Sequence, residues 1–140
     1  MKIRNVIPML ATGDMEETVR FYRDALGFDL RDRFESGGRT WWCEMMRDGH
    51  VLMFTAHEVD VDAPGARMGF RQTSINVYLD SGIEDLHARL KRGGYTVSEM
   101  RVTFYRIREF DLTDPSGYTV LIGQPTDEAP TVIEPPAPPF

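Results

Sequence analysis

The chain has 140 residues, 41% of them hydrophobic and 27% charged, with a net charge of −6 and a pI near 5.0. That length holds one domain with one sizeable core, or two half-size units sharing a sheet interface. The composition is ordinary for a globular protein, with no basic stripe for a nucleic-acid backbone and no apolar run near the ~20 residues of a membrane span.

Met1 to Asn5 carry no apolar signal core, and Cys43 is the sole cysteine, so the reading is a cytoplasmic protein without an intrachain disulfide. A first strand is expected from about residue 3. Asp14-Met15-Glu16-Glu17 then opens a helix, with Asp14 as its cap and Glu17 three residues on, a close variant of the capping box. Met15, Val19, Tyr22 and Leu26 share one face of that helix, and Gly27 supplies the left-handed residue that ends it. Two apolar runs follow, Trp41–Arg47 and His50–Thr55, joined by Asp48-Gly49. Asp-Gly between such runs is a strong two-residue hairpin signal.

Residues 57–71, with Pro64, Gly65 and Gly69, read as a polar connector. Ser81-Gly82-Ile83-Glu84 predicts a second capping box with Ser81 as cap. The helix it opens carries Ile83, Leu86 and Leu90 on one face and closes at Gly93-Gly94. Runs Arg106–Thr113 and Tyr118–Gly123 flank the turn Asp114-Pro115-Ser116-Gly117. The tail, 124–140, holds six of the nine prolines and predicts an extended, poorly ordered end.

These signals repeat. Asp14 and Ser81 lie 67 residues apart, as do Gly27 and Gly94, while Gly49 and Gly117 lie 68 apart. The chain therefore reads as an α+β domain over 1–123, made of two tandem βαβββ modules at about 3–56 and 72–123.

The residues Asp14 to Phe28, an Asp-led helix containing Phe21-Tyr22 and closing in Leu26-Gly27-Phe28, resemble the first-module signature of the glyoxalase/bleomycin-resistance/extradiol dioxygenase (vicinal oxygen chelate) superfamily. Arg108-Glu109-Phe110 followed by Asp114-Pro115-Ser116-Gly117-Tyr118 is similar to its second-module signature. The resemblance implies that each module curls its sheet into a half-open barrel and that the two together line a cleft. It also implies a homodimer. The superfamily includes metal-dependent isomerases, epimerases, dioxygenases and thiol transferases, and metal-free proteins that sequester drugs. Fold alone does not choose among them.

The resemblance places the metal ligands of the family's enzymes at Ile7 and Ser74 on the first strands and at Met53 and Leu121 on the last. None is a good divalent-metal ligand, and Ser74 is at best a weak oxygen donor. His50, His57 and His87 fall in different elements. The expectation is a protein with no metal, no cofactor and no catalytic set, closest to the bleomycin-resistance-like members.

With Met53 facing the cleft as the resemblance implies, strand alternation supplies its neighbours. A two-residue loop at Asp48-Gly49 brings Trp42, Glu44, Met46 and Thr55 to the same face as Met53. A four-residue loop at Asp114–Gly117 pairs Thr113 with Tyr118 and brings Arg106, Arg108 and Phe110 to the second module's cleft face, beside Asn76 and Tyr78. Glu44 among apolar neighbours needs a partner, either a cation on the ligand or one of Arg106 and Arg108. This lining suits a small aromatic or amphipathic ligand. The alternatives are an enzyme with unusual metal ligands or with Glu44 as general base, and an accessory protein of a natural-product pathway.

Overall fold

The computed structural model describes residues 1–56 and 73–132 and shows two compact units, which divide at Ala66/Arg67. Among the described residues each holds one helix and a four-stranded open sheet with the first strand parallel to the fourth. The expected connector, 57–71, lies outside the described residues.

In the first unit, β1 (Met9–Thr12), α1 (Met15–Leu26), β2 (Asp29–Ser36), β3 (Arg39–Arg47) and β4 (His50–Ala56) give the sheet order β1-β4-β3-β2. β1 begins six residues later than expected. Pro8 lacks an N–H for a ladder, although its carbonyl still accepts from the Met53 N–H at 3.0 Å. Asp14 caps α1 as its type requires, accepting from the Glu17 N–H at 2.9 Å. Gly27, at φ +71°, closes the helix, with its N–H on the Arg23 carbonyl.

The buried stripe of α1 is Met15, Thr18, Phe21, Tyr22 and Ala25, so Val19 and Leu26 flank the contact instead of making it. That stripe lies on Leu10, Cys43, Met45, Leu52 and Phe54, which are all buried. Tyr22 and Phe54 rings meet at 4.8 Å. The Thr12 and Thr18 hydroxyls pair at 2.6 Å, which satisfies both in the core. Cys43 faces the helix with its sulfur 3.5 Å from that of Met15, and burial pushes its thiol up to about 11. It therefore stays protonated at neutral pH, as a structural thiol.

The second unit repeats this plan: β5 (Ser74–Tyr78), α2 (Ile83–Arg92), β6 (Arg101–Val102), β7 (Ile107–Thr113) and β8 (Thr119–Pro125), in the order β5-β8-β7-β6. Its helix starts differently from the expectation. Gly82, at φ +86°, is the cap and Ser81 makes no capping bond. The Ile83 N–H is met by the Gln124 side chain from β8 at 3.1 Å. His87 is a packed residue, with Nε2 2.8 Å from the Ser98 carbonyl and its ring 4.7 Å from that of Phe110.

The start of the tail is also held. Thr131 and Val132 donate backbone N–H groups to the Val102 carbonyl, and the Val102 N–H reaches the Thr131 hydroxyl at 2.9 Å. Thr131 and Val132 are thus tied to Val102 of β6, and the Thr126 N–H bonds the Arg106 carbonyl. Residues 133–140 lie outside the described residues.

Candidate functional site

Period-two alternation gives each sheet a face against its helix and a face away from it. In the first module the pairs are Trp42 with Thr55, Glu44 with Met53, Met46 with Val51 and Arg47 with His50. Asp48 and Gly49 both take positive φ, 51° and 80°, as the tight hairpin turn demands. Trp42, Glu44, Met46, Met53 and Thr55 therefore share the face away from α1, joined by Met9 from β1. All five are half-buried and Met9 is exposed, whereas Cys43, Met45, Leu52 and Phe54 on the helix side are buried.

Glu44 has a partner, but neither Arg106 nor Arg108. It is Arg31, whose Nε lies 3.6 Å from a Glu44 carboxylate oxygen. The ladder between β2 and β3 shifts register between Leu30 and Asp32, which leaves Arg31 as an extra, unpaired residue beside Asp32, the ladder partner of Glu44. Such a bulge re-aims a side chain that strict alternation sends elsewhere. Arg31 also places Nη1 3.3 Å from the Met46 sulfur. No single-strand pattern in the sequence marks this bulge.

The second module overturns the expected register. Thr113 pairs with Thr119, not Tyr118, because the Asp114 N–H bonds the Tyr118 carbonyl and leaves a three-residue loop. The Asp114 carboxylate holds the loop by accepting from the Ser116 and Tyr118 N–H groups, both at 2.9 Å, and Gly117 takes φ +90°. A one-residue slip moves every side chain to the other face. Phe110 is fully buried beneath α2, and Arg108 reaches toward the helix to pair with Glu84 and, at 3.4 Å, with Glu128. Arg106 lies outside the strand at φ +63°, donating to the carbonyls of Asp127 and Glu128. These three do not form the lining expected of them.

In their place stand Ile107, Glu109 and Asp111, opposite Pro125, Gly123 and Leu121. Arg101 from β6 binds both carboxylates, Glu109 at 2.9 Å and Asp111 at 3.0 Å. The Tyr105 hydroxyl donates to Glu109 at 3.4 Å. Desolvation, then the charge of Glu109, pushes the Tyr105 phenol up. Asn76 and Tyr78 pair with Leu121 and Gly123 and belong to this face. Tyr78 lies against Gly123, where an added Cβ would come within 3.1 Å of its ring. The ring remains 60% exposed. The period-two run Glu109, Asp111 was the available sequence signal for this network, and the wrong register hid it.

The donor set at the family's metal positions does not suit a divalent ion. Met53 and Leu121 pair across the parallel strands with Met9 and Asn76, not with Ile7 and Ser74, and Ser74 pairs with Thr119. The nearest carboxylates, Glu44 and Asp111, are each engaged by an arginine. No group of three or more His, Cys, Asp or Glu side chains able to hold a metal occurs among the described residues.

No curated protein matches the chain. Among solved structures, the bleomycin resistance determinant encoded on transposon Tn5 is similar at 21% identity and TM-score 0.65, over 88% of this chain and 98% of that one. TnmS3, an antibiotic binding protein from Streptomyces sp. CB03234, is similar at 22% identity and TM-score 0.67, over 90% and 99%. A glyoxalase/bleomycin resistance protein/dioxygenase from Nocardioides reaches TM-score 0.68 at 18% identity, over 94% and 89%. At such identities these likenesses speak to the fold. The model of the Glyoxalase/Bleomycin resistance protein/Dioxygenase superfamily matches residues 6–122, and the chain belongs to that superfamily.

Proposed function

We propose that this protein is a metal-free binder of a small aromatic or amphipathic molecule, held on the sheet face away from α1 by Trp42, Met46, Met53 and Thr55. Asn76 and Tyr78 are proposed as ligand contacts of the second sheet, taken by itself. One observation carries the reading: the first sheet keeps Met9, Trp42, Met46 and Met53 partly open to solvent, while its other face is closed over a core. An apolar face left accessible on a folded sheet favours a guest. Trp42 supplies a flat stacking surface, worth about 0.5–1.5 kcal/mol beyond area burial, and the methionines adapt to irregular outlines. The presence of an antibiotic binding protein and a bleomycin resistance determinant among the structures of this fold supports a small-molecule ligand.

The proposal includes a homodimer in the cytoplasm, following the family's habit and the reduced state of Cys43. Catalysis through Glu44 as general base has less support, because Arg31 already engages that carboxylate.

Titration of a panel of aromatic compounds, read by tryptophan fluorescence and thermal shift, tests the proposal. Saturable binding that weakens on Trp42→Ala with the melting temperature kept supports it. Unchanged emission and melting across the panel contradicts it.

A further inference from the structure

We infer that Arg31 is the specificity-determining residue of the first module's open face, and that it restricts the ligand there to an uncharged molecule. The inference rests on the binding role proposed above and names the ligand's charge class. Glu44 is the carboxylate set among Trp42, Met46 and Met53, and its side chain is 16% exposed. The bulge in β2 spends one extra residue to bring Arg31 to it, at 3.6 Å. The same guanidinium extends to the Met46 sulfur, so it lies along the apolar surface as well as on the carboxylate.

The charge balance follows. A cationic guest must displace Arg31 before Glu44 can compensate it, exchanging one ion pair for another while still losing its own hydration. An anionic guest that takes Arg31 leaves Glu44 unpaired among apolar neighbours, which is costly. An uncharged guest leaves the pair in place and gains apolar burial. Asp32, the ladder partner of Glu44, adds a second carboxylate there, and solvent screens its charge. Its carboxylate is exposed and accepts from the Arg33 N–H at 2.8 Å.

The same device recurs at the matching place in the second module. Asp111 stands 67 residues after Glu44, also beside the fourth-strand position, and also takes an arginine from the edge strand, Arg101. A counter-ion supplied from the edge strand is thus a property of both sheets.

Isothermal calorimetry on the full chain with three probes of one skeleton tests the inference: 2-naphthylmethanol, 2-naphthylmethylammonium and 2-naphthoate. The wild type is expected to bind the alcohol about tenfold tighter than either ion, and Arg31→Met is expected to shift the preference about tenfold toward the ammonium. Arg33→Met, which removes a neighbouring charge paired with Glu35, is expected to leave the order unchanged. The inference is overturned if the wild type prefers the ammonium, if Arg31→Met leaves the ratio as it was, or if Arg33→Met shifts it equally. Absence of binding by all three sinks the binding role itself, a different result from a wrong preference.

Discussion

The two modules share one frame and carry different chemistry on it. In the first, the face away from the helix is apolar, with methionines and a tryptophan around one compensated carboxylate. In the second, the corresponding face holds an ionic network of Arg101, Glu109 and Asp111, with Tyr78 laid against Gly123. Their helix-side faces, by contrast, are both closed and apolar: the Cys43 and Phe54 pair is matched by Phe110 and Ile122, and all four are fully buried. The residue types differ at these matched positions, but each copy keeps them apolar and buried, as a core requires. The outward face is released from that demand, and there the two copies have diverged. The contrast leaves the first module with the apolar outward face, on which the proposed ligand would sit, and the second with a polar one.

Truncating the buried aromatics is expected to have the largest effect. Phe54→Ala and Phe110→Ala should each cost about 3–5 kcal/mol in chemical denaturation. A loss below about 1 kcal/mol for Phe110→Ala would return that ring to the outward face and revive the four-residue turn.

The paired arginines come next and should separate the modules. Arg101→Met leaves Glu109, 4% exposed, without its cation, and should cost roughly 3 kcal/mol. Arg31→Met removes a guanidinium that is more than half exposed and should cost less than about 1 kcal/mol. Equal losses would mean that the two counter-ions do the same structural job.

Much of the frame was legible in the sequence because it depends on local backbone demands. Asp48-Gly49 announced its turn, since two successive positive φ values leave few residue choices. Asp14 and Gly27 marked both ends of α1. What stayed hidden was decided by one residue or by distant partners. The Asp114 loop differs from the expected one by a single residue, enough to exchange Phe110 and Arg108 for Glu109 and Asp111 on the outward face. Arg31 reaches Glu44 through a bulge, and Gln124 takes over the capping role expected of Ser81 from 41 residues away. Neither leaves a periodic trace.

Gly123→Ala should cost about 1–3 kcal/mol, because the new Cβ meets Ile107 at 2.9 Å and the Tyr78 ring at 3.1 Å. Thr55 stands at the matching place in the first module, so the site accepts a side chain only where no ring lies across it. Circular dichroism melts of the variant check this, and an unchanged melt would mean that Tyr78 moves aside freely. The helix starts give the smallest contrast. Asp14→Ala should lose about 1 kcal/mol, and Ser81→Ala should stay within about 0.5 kcal/mol. Equal losses would restore Ser81 as a cap.

Methyl-labelled methionine NMR, following a titration with 2-naphthylmethanol, tests the central claim most directly, because the first module carries methionines on both faces of one sheet. Met9, Met46 and Met53 should shift together and saturate, while Met15 and Met45, buried on the helix side, stay in place. Saturable shifts confined to Met15 and Met45, or none at Met46 and Met53, would contradict the account.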